Sequence, residues 1–269
     1  VGRGISQKLE QHGMLTMGDV ALCSIQNEDL LYRLFGINAE LLIDHAWGWE
    51  PCTIAEIKSY KPQTNSISTG QVLQMPYDFE KAKLITMEMA DNLSLDLVEK
   101  KLVTSQLVLI IGYDRENLTD IGRRKAYAGE IKTDFYDREV PKHARGTANI
   151  GRQTSSTKLI TEAVSELYER IVDKNLLVRR INLTACNVIR ECDIKEDETP
   201  EQLSLFENYE EKERKKAELE ASLEKERRMQ DALIEIKQRY GKNAILKGMN
   251  YKEGATAKDR NKQIGGHKA

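Results

Sequence analysis

Two glycine-containing turns near the start of the chain are suited to hold a phosphate group. Gly2-Arg3-Gly4 and Gly13-Met14-Leu15-Thr16-Met17-Gly18 each lead into a predicted helix. Because glycine lets the backbone turn tightly, amides at such a helix N-terminus can point at a phosphate. We expect Gly2, Gly4 and Gly18 to present backbone amides in this way, although short glycine pairs are also common in ordinary turns.

Two predicted strands alternate polar or basic residues with apolar or small ones. The segments Arg145–Arg152 and Arg180–Ala185 both follow this pattern, and side chains two residues apart share one face of a strand. The polar face suits phosphate oxygens, although the solvent-facing side of an ordinary antiparallel sheet has the same composition. The expected phosphate contacts are Ser66, Ser68, Arg123, Arg124, Arg145, Thr147, Asn149 and Arg152.

A short peptide with the composition of a docking motif follows an acidic, proline-containing stretch. It reads Gln202-Leu203-Ser204-Leu205-Phe206. Leu205 and Phe206 could fill an apolar pocket on a partner while Gln202 makes a polar contact. The alternative is that these residues begin the long helix that follows and pack on the body of the protein.

No sequence motif for catalysis or for metal binding is evident in the chain. Nucleotidyl transfer requires paired carboxylates for two metal ions, and Asp114 and Asp120 lack a partner acid on a strand. The cysteines, Cys23, Cys52, Cys186 and Cys192, are scattered as in a reduced cytosolic protein. We therefore expect no catalytic residue, no metal site and no cofactor in this chain.

The element pattern divides the chain into four segments. Residues 1–57 read as short helices whose small core requires a further partner surface, and residues 58–65 form a polar linker. Residues 66–190 follow the order β-α-β-β-α-β, which predicts an α+β domain with a four-stranded sheet and two helices on one face. Residues 191–269 comprise an acidic linker, a long helix and a basic tail that we expect to be loosely ordered.

Charge is unevenly distributed in a chain whose net charge is only −2. Between Gly122 and Lys158 there are nine Lys or Arg residues against four acids, and from Gly241 to the end seven against two. Such basic stretches are candidate polyanion surfaces, although a solvated face has the same composition. No apolar run is long enough to span a membrane, and we expect a cytoplasmic protein.

Together these segments resemble the Y-family translesion DNA polymerases of the UmuC/DinB type. Residues 1–36 are similar to that family's thumb, with its helix-hairpin-helix turns. Ser66–Gly70, Arg145–Ile150 and Ser155–Ile160 are similar to strands and a helix of its little-finger domain. Gln202–Phe206 is similar to the bacterial clamp-binding pentapeptide.

The resemblance implies a binding role for the chain. It implies a thumb that grips primer-template DNA, a little-finger sheet in the DNA major groove, a sliding clamp as partner and a place in the SOS response at the bacterial nucleoid. The palm, which would hold the Mg²⁺ ions of the parent polymerase, is expected before Val1, so this chain is not expected to polymerise DNA. The alternative is a structural adaptor that dimerises through a helix in residues 207–240.

Overall fold

The computed structural model of the chain describes residues 1–60, 65–134, 137–194, 209–264 and 267–268. The chain forms two compact units, Val1–Gln63 and Thr64–Ala269. Each unit has its own hydrophobic core. The described helices include none with the length and apolar composition that crossing a membrane requires.

The first unit is a small helical body. Its helices are α1 (Arg3–Glu10), α2 (Met17–Gln26), α3 (Glu28–Phe35), α4 (Asn38–Ala46) and α5 (Ile54–Ser59). Thr16 and Asp19 form a capping box at the start of α2, and the hydrogen bonds from Thr16 and Leu15 hold the pKa of Asp19 below its ordinary value. The core contains Leu9, Met14, Val20, Leu31, Ala39 and Leu42. Large apolar side chains, Ile37 and Leu15 among them, are exposed on this unit.

The second unit confirms the predicted α+β class and the order β-α-β-β-α-β. The elements that build its sheet and helical layer are β1 (Ser66–Tyr77), α6 (Phe79–Glu99), β2 (Leu102–Tyr113), α7 (Glu116–Thr119), α8 (Ile121–Ala126), β3 (Ile131–Thr133), β4 (Glu139–Pro141), β5 (Ala144–Thr154), α9 (Thr157–Ile171), β6 (Val178–Cys186) and β7 (Ile189–Arg190). After them come α10 (Tyr209–Tyr240), α11 (Ala257–Arg260), β8 (Gln263–Ile264) and β9 (His267–Lys268).

The main sheet is antiparallel, with the strand order β1-β6-β2-β5 and the short β7 paired with β2. Leu107, Leu109 and Ile111 of β2 are fully buried on the face that α6 and α9 cover. The intervening residues of β2 lie on the other face. The period-two alternation of the strands therefore gives the sheet one core face and one open face.

The segment between β2 and β5 was not predicted in detail. It contains α7, α8 and the β3–β4 hairpin, and Asn117 fastens it to the loop before β6. The Asn117 amide donates to the carbonyls of Asp114 (2.8 Å) and Leu177 (2.9 Å), and its oxygen accepts from the Leu177 N–H. Because Asn117 is fully buried, these bonds hold α7 firmly against the edge of the sheet domain.

The long helix α10, expected from its composition, docks on the helical layer. Gln230 is buried, and its amide donates to Ser155 O (3.0 Å) and Thr157 Oγ1 (2.9 Å). Glu226 accepts from the Ser156 hydroxyl and the Lys158 N–H at the N-terminus of α9, where a carboxylate is electrostatically favoured. The C-terminal helix is thus part of the second unit.

The expectation of a loosely ordered tail is wrong for residues 241–262. Glu88, a buried residue of α6, accepts hydrogen bonds from Asn250 Nδ2 (2.8 Å), Thr256 N (2.9 Å) and Ala257 N (3.0 Å). Lys247 forms an ion pair with Asp91 of the same helix. The C-terminal segment therefore supplies the hydrogen-bond donors and the lysine that pair with two buried acids, Glu88 and Asp91.

We predict that Glu88→Ala lowers the free energy of unfolding by about 2–4 kcal/mol, because buried backbone N–H groups lose their acceptor. Urea unfolding followed by circular dichroism measures the change. Glu253→Ala is the matched control, since Glu253 is exposed and forms a surface ion pair with Lys81. Equal stability of the two variants would show that the tail is not held through Glu88.

Candidate nucleic-acid interface

The open face of the sheet is a grid whose rows are fixed by strand register. Across β1, β6, β2 and β5, the rows are Ser66-Cys186-Gln106-Asn149, Ser68-Thr184-Val108-Thr147 and Gly70-Asn182-Ile110-Arg145, followed by Val72-Arg180-Gly112 without a β5 residue. Residues of the outer strands are exposed, and those of β2 are half-buried. The face therefore presents hydroxyls, amides and two arginines around a short aliphatic strip.

Hydrogen bonds between neighbouring strands order these side chains. The Ser68 and Thr184 hydroxyls are 2.9 Å apart, and Gln106 Nε2 donates to Asn149 Oδ1 at 2.8 Å. A Cβ atom at Gly70 would collide with Asn182 Oδ1, so the Asn182 side chain occupies the space that glycine leaves. These contacts hold the hydroxyl and amide groups close to the sheet surface, where a polyanion could contact several of them at once.

Gly146 positions β5 against the helical layer. A Cβ at this residue would lie 2.8 Å from both Ile171 Cγ2 and Leu167 Cδ1 of α9. Arg170 of the same helix donates to the Thr147 carbonyl at 2.8 Å. Close packing of α9 on β5 therefore fixes the strand that carries Arg145 and Thr147.

We predict that Gly146→Ala destabilises the protein by about 1–3 kcal/mol, because the added methyl group overpacks the contact with Leu167 and Ile171. Urea unfolding measures the loss. Gly248→Ala serves as control, since a Cβ there meets no atom within 4 Å. An unchanged stability of Gly146→Ala would mean that α9 moves away from β5 without cost.

The structure brings together five of the predicted contact residues and separates the others. Ser66, Ser68, Arg145, Thr147 and Asn149 share the open face. The other three expected phosphate contacts, Arg152 on β5 and Arg123 and Arg124 on α8, lie away from these five residues.

Arg152 follows an irregularity in the register near Gly151, which has a positive φ, and its guanidinium forms an ion pair with Glu220 of α10 at 2.8 Å. Arg123 and Arg124 belong to α8 in the inserted segment, and Arg123 Nη1 donates to Asn175 O. Gly2 is the N-cap of α1, and Gly4 and Gly18 lie in the first turns of α1 and α2, all in the first unit. Gln202, Leu203, Ser204, Leu205 and Phe206 lie outside the described residues.

The sequence reading missed a cluster of arginines at the end of the grid. Arg115, Arg138, Arg179 and Arg180 line a hollow of about 520 Å³ together with Asp114 and Asp134. Burial raises the pKa of Tyr113, which also lines the hollow. The doublet Arg179-Arg180 is a local sequence signal for this cluster. Arg115 and Arg138 are far from the doublet in sequence and come close to it only in the folded chain. In the part of the chain that the structure describes, no three His, Cys, Asp or Glu side chains group as a metal site requires.

Comparison with known proteins adds an independent observation. The model of the impB/mucB/samB family C-terminal domain matches residues 64–205. The chain is also 25% identical over its full length to UvrX of Bacillus subtilis strain 168, which is described as a UV-damage repair protein. The chain spans about half of that relative, 53% of its length.

Two solved structures are similar to part of the chain. A Y-family DNA polymerase chimera of Dbh and Dpo4 has 14% identity and a TM-score of 0.37. A post-insertion binary complex of Dbh DNA polymerase has 16% identity and a TM-score of 0.30. Each match covers 71% of this chain and 46% of the other.

Proposed function

The chain belongs to the impB/mucB/samB family through its C-terminal domain, the little finger of Y-family DNA polymerases, and from this premise we propose that it is the DNA-gripping and clamp-docking part of a translesion polymerase. In this role the second unit binds primer-template DNA without reading its base sequence. The first unit adds backbone amides at Gly2, Gly4 and Gly18 as further phosphate contacts.

The observation that carries the DNA proposal is the chemistry of the open face. Ser68, Thr147, Thr184 and Asn149 offer short donors, and Arg145 adds a positive charge to the same surface. Hydroxyl, amide and guanidinium groups are the usual donors to phosphate oxygens. An acidic side chain is missing from all four rows of the grid, which favours a polyanion over a basic partner.

The clamp proposal rests on the pentapeptide Gln202–Phe206 and its place in the chain. Arg227 of α10 forms two hydrogen bonds of 3.0 Å with Glu191, so the chain is fastened to the domain on both sides of this peptide. A short Leu-Phe motif can fill a partner's apolar pocket while the domain holds DNA. The two contacts together would keep the polymerase at its substrate by raising the effective concentration.

We predict that Thr147→Glu weakens binding to a fluorescent primer-template duplex roughly tenfold or more, because a carboxylate on the edge strand β5 then faces the phosphates from the open face. Fluorescence anisotropy at low salt measures the affinity. Ser222→Glu on the exposed side of α10 is the matched control for the change in net charge. Equal affinity of the two variants would remove the open face from the DNA contact.

We predict that the double variant Leu205→Ala, Phe206→Ala loses measurable binding to a purified bacterial sliding clamp, because the apolar anchors of the peptide are removed. Surface plasmon resonance with immobilised clamp measures the loss. The variant Leu219→Ala, Met229→Ala removes two partly exposed apolar side chains of α10 and serves as control. Clamp binding that survives in the first variant would place the docking site elsewhere.

A further inference from the structure

The hollow at the end of the open face has an excess of positive charge. Four arginines and two aspartates line it, which leaves two positive charges in excess. Arg138 is paired with Asp134 at 2.6 Å, and Arg179 Nε lies 3.5 Å from Asp114. Arg115 and Arg180 are exposed, and neither forms an ion pair with a carboxylate among the described residues. These two guanidinium groups are therefore available to a ligand.

The walls of the hollow are built from two different parts of the fold. Arg180 and Gly112 belong to the last row of the grid, so the hollow continues the open face. A Cβ at Gly112 would lie 3.2 Å from Arg180 Cβ. Glycine at this position therefore leaves space beside Arg180 in the hollow. Arg115 and Arg138 come from the segment inserted between β2 and β5, which forms the opposite wall.

The inserted wall is held in place before any ligand arrives. Asn117, two residues after Arg115, is fully buried and bonded to Asp114 and Leu177, and the Glu116 N–H donates to Asp114 Oδ1 at 2.8 Å. Arg179 also donates to the Gln74 carbonyl at 3.0 Å. Arginine forks on a fixed framework bind phosphate oxygens at a lower entropic cost than mobile lysines on a loop.

We propose that this hollow is a phosphate-binding subsite in which Arg115 and Arg180 hold one internal phosphodiester of the DNA backbone beyond the end of the sheet. The inference rests on the proposed function, because the DNA must lie along the open face to reach the hollow. It extends that function to the inserted segment, which the four strands and two helices of the domain do not require. The subsite therefore sets the position on the DNA backbone at which contact with the sheet ends.

The first test compares the double variant Arg115→Ala, Arg180→Ala with wild-type protein in anisotropy titrations across a salt series. We expect affinity to fall about tenfold and the slope of log K against log salt to become shallower by about 1, since one phosphate contact is lost. The variant Arg214→Ala, Arg228→Ala removes the same charge from exposed positions on α10 and is expected to behave as wild type. The variant Arg115→Lys, Arg180→Lys, which keeps charge but loses the fork, is expected to fall between.

The second test locates the phosphate with duplexes that each carry one neutral methylphosphonate linkage. We expect one linkage whose neutralisation weakens the wild-type protein but has no further effect on the Arg115→Ala, Arg180→Ala variant. A response to a 5′-terminal phosphate and to no internal linkage would overturn the proposal, as would a variant that matches the α10 control. Wild-type protein that binds no duplex would overturn the proposed function itself, whereas wild-type binding with an unaffected variant overturns the subsite alone.

Discussion

The burial of one face of a four-stranded sheet under two helices is the constraint on which the rest of the second unit depends. Leu107, Leu109 and Ile111 are fully buried, and a strand that places these residues inward must place its alternate residues outward. A shift of one residue in register would exchange the two sets and bury polar groups. The same alternation that stabilises the core therefore lines up the hydroxyls, amides and arginines of the open face.

The C-terminal segment packs on the helical layer and pairs with its buried polar groups. In the second unit α10 covers the N-terminus of α9 through Glu226 and Gln230, and the chain after it supplies donors to Glu88 and Asp91 of α6. Buried carboxylates are costly unless several donors satisfy them. The acids of α6 and the basic C-terminal residues therefore have to be understood as one interaction, although more than 150 residues separate them.

The sequence predicted the parts of this fold that depend on local periodicity. The alternation in Arg145–Arg152 and the helical pattern of α6 are local signals, and they correctly indicated the sheet and its open face. The hollow and the docked tail were missed because their residues meet only in three dimensions. Arg115 and Arg180 are 65 residues apart in a chain that gives no pattern for pairing them. Long-range ion pairs such as Lys247 with Asp91 likewise leave no recognisable pattern in the sequence.

Net charge is a poor guide to function because the fold, and not the overall composition, decides where charges gather. The chain has a net charge of −2, yet its open face and hollow are locally positive. The helix α10 offsets none of this charge, since it carries nine acids and nine basic residues. The helix α6, which packs on the buried face of the sheet, carries five acids against two lysines. An α-helix with its side chains is about 10–12 Å thick, and the Debye length at physiological salt is about 8 Å. Acids behind the helices are thus largely screened from a polyanion on the open face, so the local arrangement of charge decides what the sheet can bind.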